Sequence, residues 1–345
     1  MKKLISLLLA VMLIAFAGVP AFAATMADGN GVLCNQFVYG VGPEIDGWSI
    51  DYRYFSPVKE NDTAKYPLVV WLHGMGNGGN DGVQVSASNI CYWSSEEFQS
   101  RFTNGGAFIL APRSDEKKGL CWNESTFEPL KAAIDTFIAE NKDNIDLTRI
   151  YVGGYSMGGK MTLKMAIAYP EMFAAAFPIC PAWSPSEELL SYISDMPVWI
   201  TSGKTDPLVN YYFSVSKTWE KLCAVSTVAE SCRFSTLEKV CFQDGKRCTS
   251  AHHSWYSVNH DMFSSENGAY PHMNIVNGLG EEVTLTYPNG MISWLCSQTS
   301  DYNGEASVGK GNLEDARNTD NILGITDIID FFLTLFKAIK DVFTF

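Results

Sequence analysis

Strand-like and helix-like patterns alternate through the middle of this chain, and that alternation leaves few folds open. Short apolar runs of the length that buried parallel strands require recur at residues 68–72, 107–110, 150–152, 174–179 and 198–201. Helix patterns lie between them. In one, Phe127, Leu130, Ile134, Phe137 and Ile138 keep helical spacing behind Ser125, an expected N-cap with Glu128 three residues on. Others cover residues 157–169, 187–194 and 210–222, while residues 48–55 alternate apolar and polar like a half-exposed strand. The pattern predicts an α/β domain with a mainly parallel sheet and helices on both faces, its sites at the carboxyl ends of the strands.

One such strand end carries a reactive pattern. Gly154-Tyr155-Ser156-Met157-Gly158-Gly159 follows the run 150–152 and opens the helix pattern at Met157, the strand–turn–helix context of a nucleophile elbow. Glycines at 154 and 158 suit a turn too tight for side chains beside the serine. His73-Gly74-Met75-Gly76-Asn77-Gly78-Gly79 follows the run 68–72, where a strand-to-helix loop supplies one N–H of an oxyanion hole. The residue after the nucleophile supplies the other, so the expected donors are Met75 and Met157. A phosphate-binding loop would need a Gly-Lys-Ser/Thr ending, which is missing here.

A serine hydroxyl needs a base, and an imidazole base needs an acid to hold its tautomer. Asp206 lies just past the run 198–201, on the expected catalytic edge. In the order serine, acid, histidine, the base follows Asp206, which leaves His252, His253, His260 and His272. The segment His252-His253-Ser254-Trp255 is best placed, ahead of a final helix pattern at 291–296. This chemistry needs no cofactor and no metal.

Several partner classes are disfavoured by composition. The net charge of −13 opposes binding to nucleic acid or to anionic membrane surfaces. Lys2, Lys3, an apolar run over 4–19, Pro20 and Ala21-Phe22-Ala23 read as a secretory signal peptide, residues 1–23, so the mature protein is expected to be secreted. Nine cysteines follow it, and at least one must stay unpaired within the chain. The short loops Cys223 to Cys232 and Cys241 to Cys248 are the easiest to close, and Cys180, ending an apolar run, is the expected odd thiol. No C-x-x-C pair accompanies them, which disfavours structural zinc.

The segments Pro67 to Gly74, Arg149 to Gly159 and Tyr169 to Cys180 resemble the secreted α/β-hydrolases grouped with polyhydroxybutyrate depolymerases, feruloyl and acetylxylan esterases, and predicted prolyl-oligopeptidase-like peptidases. The resemblance covers residues 47–298 and implies an α/β-hydrolase fold with serine chemistry. In that group a histidine commonly precedes x-Ser-Trp, which points to His252. The chain departs from the pattern at the insertion 241–248 and the long segment 257–286. Trp122, Trp183 and Trp255 fall near the catalytic edge and would suit an aromatic or sugar-bearing ester.

Three functions compete. A secreted hydrolase of carboxylic esters, feruloyl, acetyl or hydroxyalkanoate, is preferred. A serine peptidase is second, disfavoured by the absence of a gating N-terminal propeller repeat. A non-catalytic surface protein on the same fold is third, disfavoured because nucleophile, acid, base and oxyanion loop are all present. The expected organisation is a catalytic domain at 24–298, a polar linker at 299–321 and an amphipathic helix at 322–345, whose apolar face would meet a membrane surface or protein partner.

Overall fold

A sheet of nine strands organises the computed structural model, which describes residues 31–116, 121–242, 248–265, 268–269 and 273–305. The strands are β1 Val38–Val41, β2 Asp51–Phe55, β3 Tyr66–Leu72, β4 Phe108–Arg113, β5 Ile145–Tyr155, β6 Ala175–Ile179, β7 Trp199–Gly203, β8 Arg233–Leu237 and β9 Met273–Asn277. Their order is β1-β2-β4-β3-β5-β6-β7-β8-β9. The six from β4 to β8 run parallel, and β1, β2 and β9 join antiparallel at the edges. Every residue of β3 is buried, as a strand covered on both faces demands.

Helices α1 Glu124–Glu140, α2 Met157–Ala168, α3 Ser216–Val225 and α4 Met291–Cys296 accompany the sheet. The cap of α1 lies two residues before the expected Ser125. Asn123 Oδ1 accepts from the Ser125 N–H at 2.9 Å, and Thr126 Oγ1 accepts from the Asn123 N–H at 3.0 Å. Trp122, at φ 44°, turns the chain sharply just before the helix and sets that start. The helix expected over 210–222 begins instead with a π-type turn at Tyr211–Val215 before α3.

Aromatic side chains fill the core around β3. Trp71 stacks on Tyr155 and on Phe177, each at 6.2 Å, and its indole N–H donates to Ser88 Oγ at 2.9 Å. The buried indole is thus packed on its faces and satisfied at its polar edge.

The signal-like segment and the tail helix lie outside the described residues, and among the described residues no helix is long and apolar enough to cross a membrane. The first residues of the expected linker lie against the domain: the Ser300 N–H donates to Thr148 O at 2.9 Å, and Tyr302 packs against the core.

One of the two short cysteine loops is closed, by a disulfide joining Cys241 to Cys248. Cys223 and Cys232 remain free, as does the buried Cys180. A more distant pair lies in contact: Cys34, in the short helix Gly31–Cys34, hydrogen-bonds side chain to side chain with the buried Cys91. Closing it would tie the chain just before edge strand β1 to the core. Incubation with oxidised glutathione is therefore expected to join Cys34 to Cys91, visible as a linked peptide pair in a non-reducing digest. The bond closes a long loop and should stabilise the fold by about 4 kcal/mol; Cys34→Ser should remove both the linked peptide and the gain in thermal midpoint.

Candidate active site

The end of β5 delivers Ser156 into a strained turn. Its backbone sits at φ 56°, ψ −116°, held there by its N–H donating to Ile179 O at 2.9 Å and its carbonyl accepting from the Ala182 N–H at 3.1 Å. The turn requires the neighbouring glycines for lack of room. A Cβ at Gly158 would stand 2.0 Å from Leu72 O and 2.6 Å from His73 O, and one at Gly154 would stand 2.3 Å from Leu72 O. The serine turn therefore rests directly on the backbone at the end of β3.

That strand end continues into the glycine-rich loop, whose backbone N–H groups are largely committed. Gly74 N–H donates to the Tyr155 hydroxyl oxygen, Asn77 N–H to Gly74 O, and Gly76 and Gly78 N–H to the carboxylate of Glu116, at 2.7 Å for Gly76. Asn77 Nδ2 donates to Tyr155 as well. Within residues 74–78 the remaining N–H is that of Met75. His73 lies fully buried, its Nε2 accepting from the Ser114 N–H at 3.0 Å, which places its proton on Nδ1, 2.8 Å from Gly74 O. Burial depresses its pKa to about 4, so it is a neutral support for the loop.

Asp206 and His252 meet at the same sheet edge. Asp206, just after β7, accepts from the N–H groups of Leu208 at 2.8 Å and Val209 at 3.0 Å. Its carboxylate oxygens lie 3.1 and 2.9 Å from His252 Nδ1. Gly203 ends β7 with no side chain, and a Cβ there would stand 2.5 Å from Ala251 O, so the histidine loop closes onto the strand only because of that glycine. Burial alone would depress the His252 imidazolium, but Cys180 and the Asp206 carboxylate outweigh it and raise the pKa above the ordinary value.

The other histidines occupy different surroundings. His253 Nδ1 pairs with Thr249 Oγ1 at 2.8 Å, and His260 lies between the rings of Tyr92 and Tyr256, with Nε2 3.2 Å from Asn89 Nδ2. Burial pulls both to about 4. His272 lies outside the described residues.

Two groups of metal-capable side chains stand out among the described residues: His73 with Glu116 and Cys121, and Cys180 with Asp206 and His252, each with its potential ligand atoms within 4.8 Å of one another. Hydrogen bonds occupy both ring nitrogens of His73 and the Nδ1 of His252.

The tryptophans divide. Trp122 is expected on a substrate-facing loop, yet its side chain is fully buried, its ring 4.8 Å from that of His73 and its N–H donating to His73 O at 2.7 Å. It props the glycine-rich loop from beneath, because the sharp turn at its own backbone aims the indole inward. Trp255, expected near the substrate as well, is buried beside Tyr155 at 5.8 Å, and Trp183 is half-buried, just after the Ala182 N–H that braces Ser156. Glu116 and Tyr155 have no part in the sequence expectation. An acid in the run Ser114-Asp115-Glu116-Lys117-Lys118 reads as a solvated loop residue, and Tyr155 as a spacer in the elbow.

Residues 55–241 match the family described as phospholipase/carboxylesterase, more than half of the chain. The chain belongs to that family. Its fold is the α/β-hydrolase fold, consistent with a solved structure described as a thermostable esterase, 26% identical, with a TM-score of 0.59 over 78% of this chain and 64% of that one. Among curated relatives it is similar to poly(3-hydroxybutyrate) depolymerase of Ralstonia pickettii, 27% identical over 45% of this chain and 33% of the relative. It is also similar to poly(3-hydroxyalkanoate) depolymerase C of Paucimonas lemoignei, 31% identical over 37% of this chain and 30% of the relative. The chain thus spans about a third of the length of the curated relatives it matches.

The contact between the serine turn and β3 can be tested directly. Gly158→Ala is expected to destabilise the protein by about 3 kcal/mol or more, because a methyl group must displace fixed backbone oxygens, and to abolish ester turnover. Thermal unfolding and rates on a p-nitrophenyl ester check both.

Proposed function

We propose that this protein is a serine hydrolase of carboxylic esters that works through an acyl-enzyme on Ser156. The observation that carries the reading is the buried Asp206–His252 bond at 2.9 Å, on the sheet edge where a backbone at positive φ presents Ser156. In this scheme Ser156 Oγ attacks the ester carbonyl while His252 Nε2 takes its proton. Asp206, bonded to Nδ1, holds the tautomer and stabilises the imidazolium. The oxyanion is met by the N–H groups of Met157 and Met75, the latter assigned by elimination along its loop. Collapse expels the alcohol, which takes the proton from His252, and a water activated by the same imidazole releases the acid.

The names of the curated relatives favour a hydroxyalkanoyl ester over feruloyl or acetyl esters as the substrate. In a panel of soluble esters, 3-hydroxybutyrate oligomers are expected to give the highest kcat/KM. Faster turnover of a feruloyl or acetyl ester would reassign the acyl group. In either case the half-buried Trp183 is the tryptophan proposed to border the acyl site. Export through residues 1–23, a catalytic domain at 24–298, a linker at 299–321 and a surface-seeking helix at 322–345 complete the proposal. A chain ending at Ser300 is expected to lose association with vesicles, and equal association of the truncated and full chains would remove the role of that helix.

Ser156→Ala should lower turnover by about four orders of magnitude or more while leaving the thermal midpoint intact, since triad members act as a unit. Activity within tenfold of wild type would refute the assignment. The base works only when neutral, and its pKa is raised above the ordinary imidazole value, about 6.5. kcat/KM should therefore climb with pH along a limb centred above 6.5. By NMR the His252 ring should titrate above pH 6.5 in wild type and at lower pH in Asp206→Asn, where the carboxylate no longer favours the cation.

A further inference from the structure

We infer that Glu116 is a positioning residue for the oxyanion hole, its carboxylate locking the peptide that follows Met75. The inference rests on the ester-hydrolase reading above and extends it to a residue that never touches substrate.

The problem it solves is set by the loop's composition. Met75 stands between Gly74 and Gly76, and Gly76 adopts φ +89° with nothing near a would-be Cβ. Peptides flanked by glycine rotate at low cost, because the barriers that a Cβ imposes are missing. Rotation of the peptides around Met75 would turn a donor away from the oxyanion or bring a carbonyl oxygen toward it. An oxyanion hole is effective only where its dipoles are fixed before charge develops.

The structure pins the peptides on both sides. The peptide before Gly74 is held through its N–H by the Tyr155 hydroxyl, whose own residue adjoins Ser156. The peptide after Met75 is held through the Gly76 N–H by Glu116 Oε1 at 2.7 Å. Glu116 takes a second hold on the loop through the Gly78 N–H, and Cys121 hydrogen-bonds the same carboxylate. Gly78 lies so close to the segment that carries Glu116 that a Cβ would stand 1.8 Å from Ser114 O and 3.0 Å from Glu116 Cγ. The loop is thus clamped between the elbow on one side and the segment after β4 on the other. Partial burial pushes the Glu116 carboxyl up from its ordinary value, while the loop N–H groups pull it back, as expected of a half-buried acid that serves backbone donors.

The test is Glu116→Gln in the full chain, assayed on p-nitrophenyl butyrate and with butylboronic acid as a mimic of the tetrahedral oxyanion. Gln keeps the volume but offers one acceptor, and its NH2 opposes the second loop N–H. A loosened hole acts only in the transition state, so kcat should fall by about 10- to 100-fold with KM within about twofold. Boronate affinity should fall with kcat, and Glu116→Asp should recover part of both. If Glu116→Gln unfolds, Glu116→Asp carries the test through the same split of kcat from KM and the same loss of boronate affinity. A folded Glu116→Gln with kcat within threefold of wild type, or with unchanged boronate affinity, overturns the inference and leaves the ester-hydrolase reading standing. A wild-type chain that hydrolyses no ester, equal to Ser156→Ala, overturns both.

Discussion

The turn that carries Ser156 stands because two backbones touch with no side chain between them. Gly154 pairs with Leu72 of β3 and with Pro178 of β6, and Gly158 lies against the carbonyls of Leu72 and His73. That contact sets the distance between the proposed nucleophile and the glycine-rich loop, since one rests on the strand from which the other emerges. It also explains the aromatic packing below. Trp71 lies between Tyr155 and Phe177, so the strands flanking the turn are fixed relative to one another by stacked rings. Strain at a positive φ costs on the order of 1–3 kcal/mol, and only a surround of this rigidity keeps the residue there.

Electrostatics at the sheet edge follows from burial. Asp206 sits where water is scarce and Glu116 is half-buried, and each is compensated by backbone donors. Asp206 accepts from Leu208 and Val209 before it meets His252, and Glu116 accepts from Gly76 and Gly78. An ionised carboxylate out of water is tolerable only with such partners. The imidazoles divide by the same rule. His73 and His260, buried, and His253, half-buried, have no carboxylate bonded to the ring and are pulled toward neutrality, while His252, bonded to Asp206, is shifted the other way.

Much of this was legible in the residue pattern. The strands lie within a few residues of the apolar runs, because a strand buried on both faces must be apolar throughout, and few other arrangements tolerate such short runs in series. The cap of α1 was less legible. Asn123 and Ser125 are both capable caps, and the choice between them was made by the reversal of the chain at Trp122. Trp122 itself belongs to the interior for the same reason, since its loop position is legible in the sequence and the direction of its indole is not.

The sequence by itself determined the alternation of strand and helix, the elbow around Ser156, the glycine-rich loop after β3 and the chain order of acid and histidine, because each is written in residues adjacent along the chain. Only the tertiary structure decided which histidine meets Asp206, where the tryptophans point and that Glu116 grips the glycine-rich loop. Those contacts join residues separated by 46 positions in the first case and by 40 in the last. No local propensity records such pairings. They arise when the sheet brings the ends of β3, β4, β7 and β8 together, and burial there leaves each polar group only the partners that the fold has placed within reach.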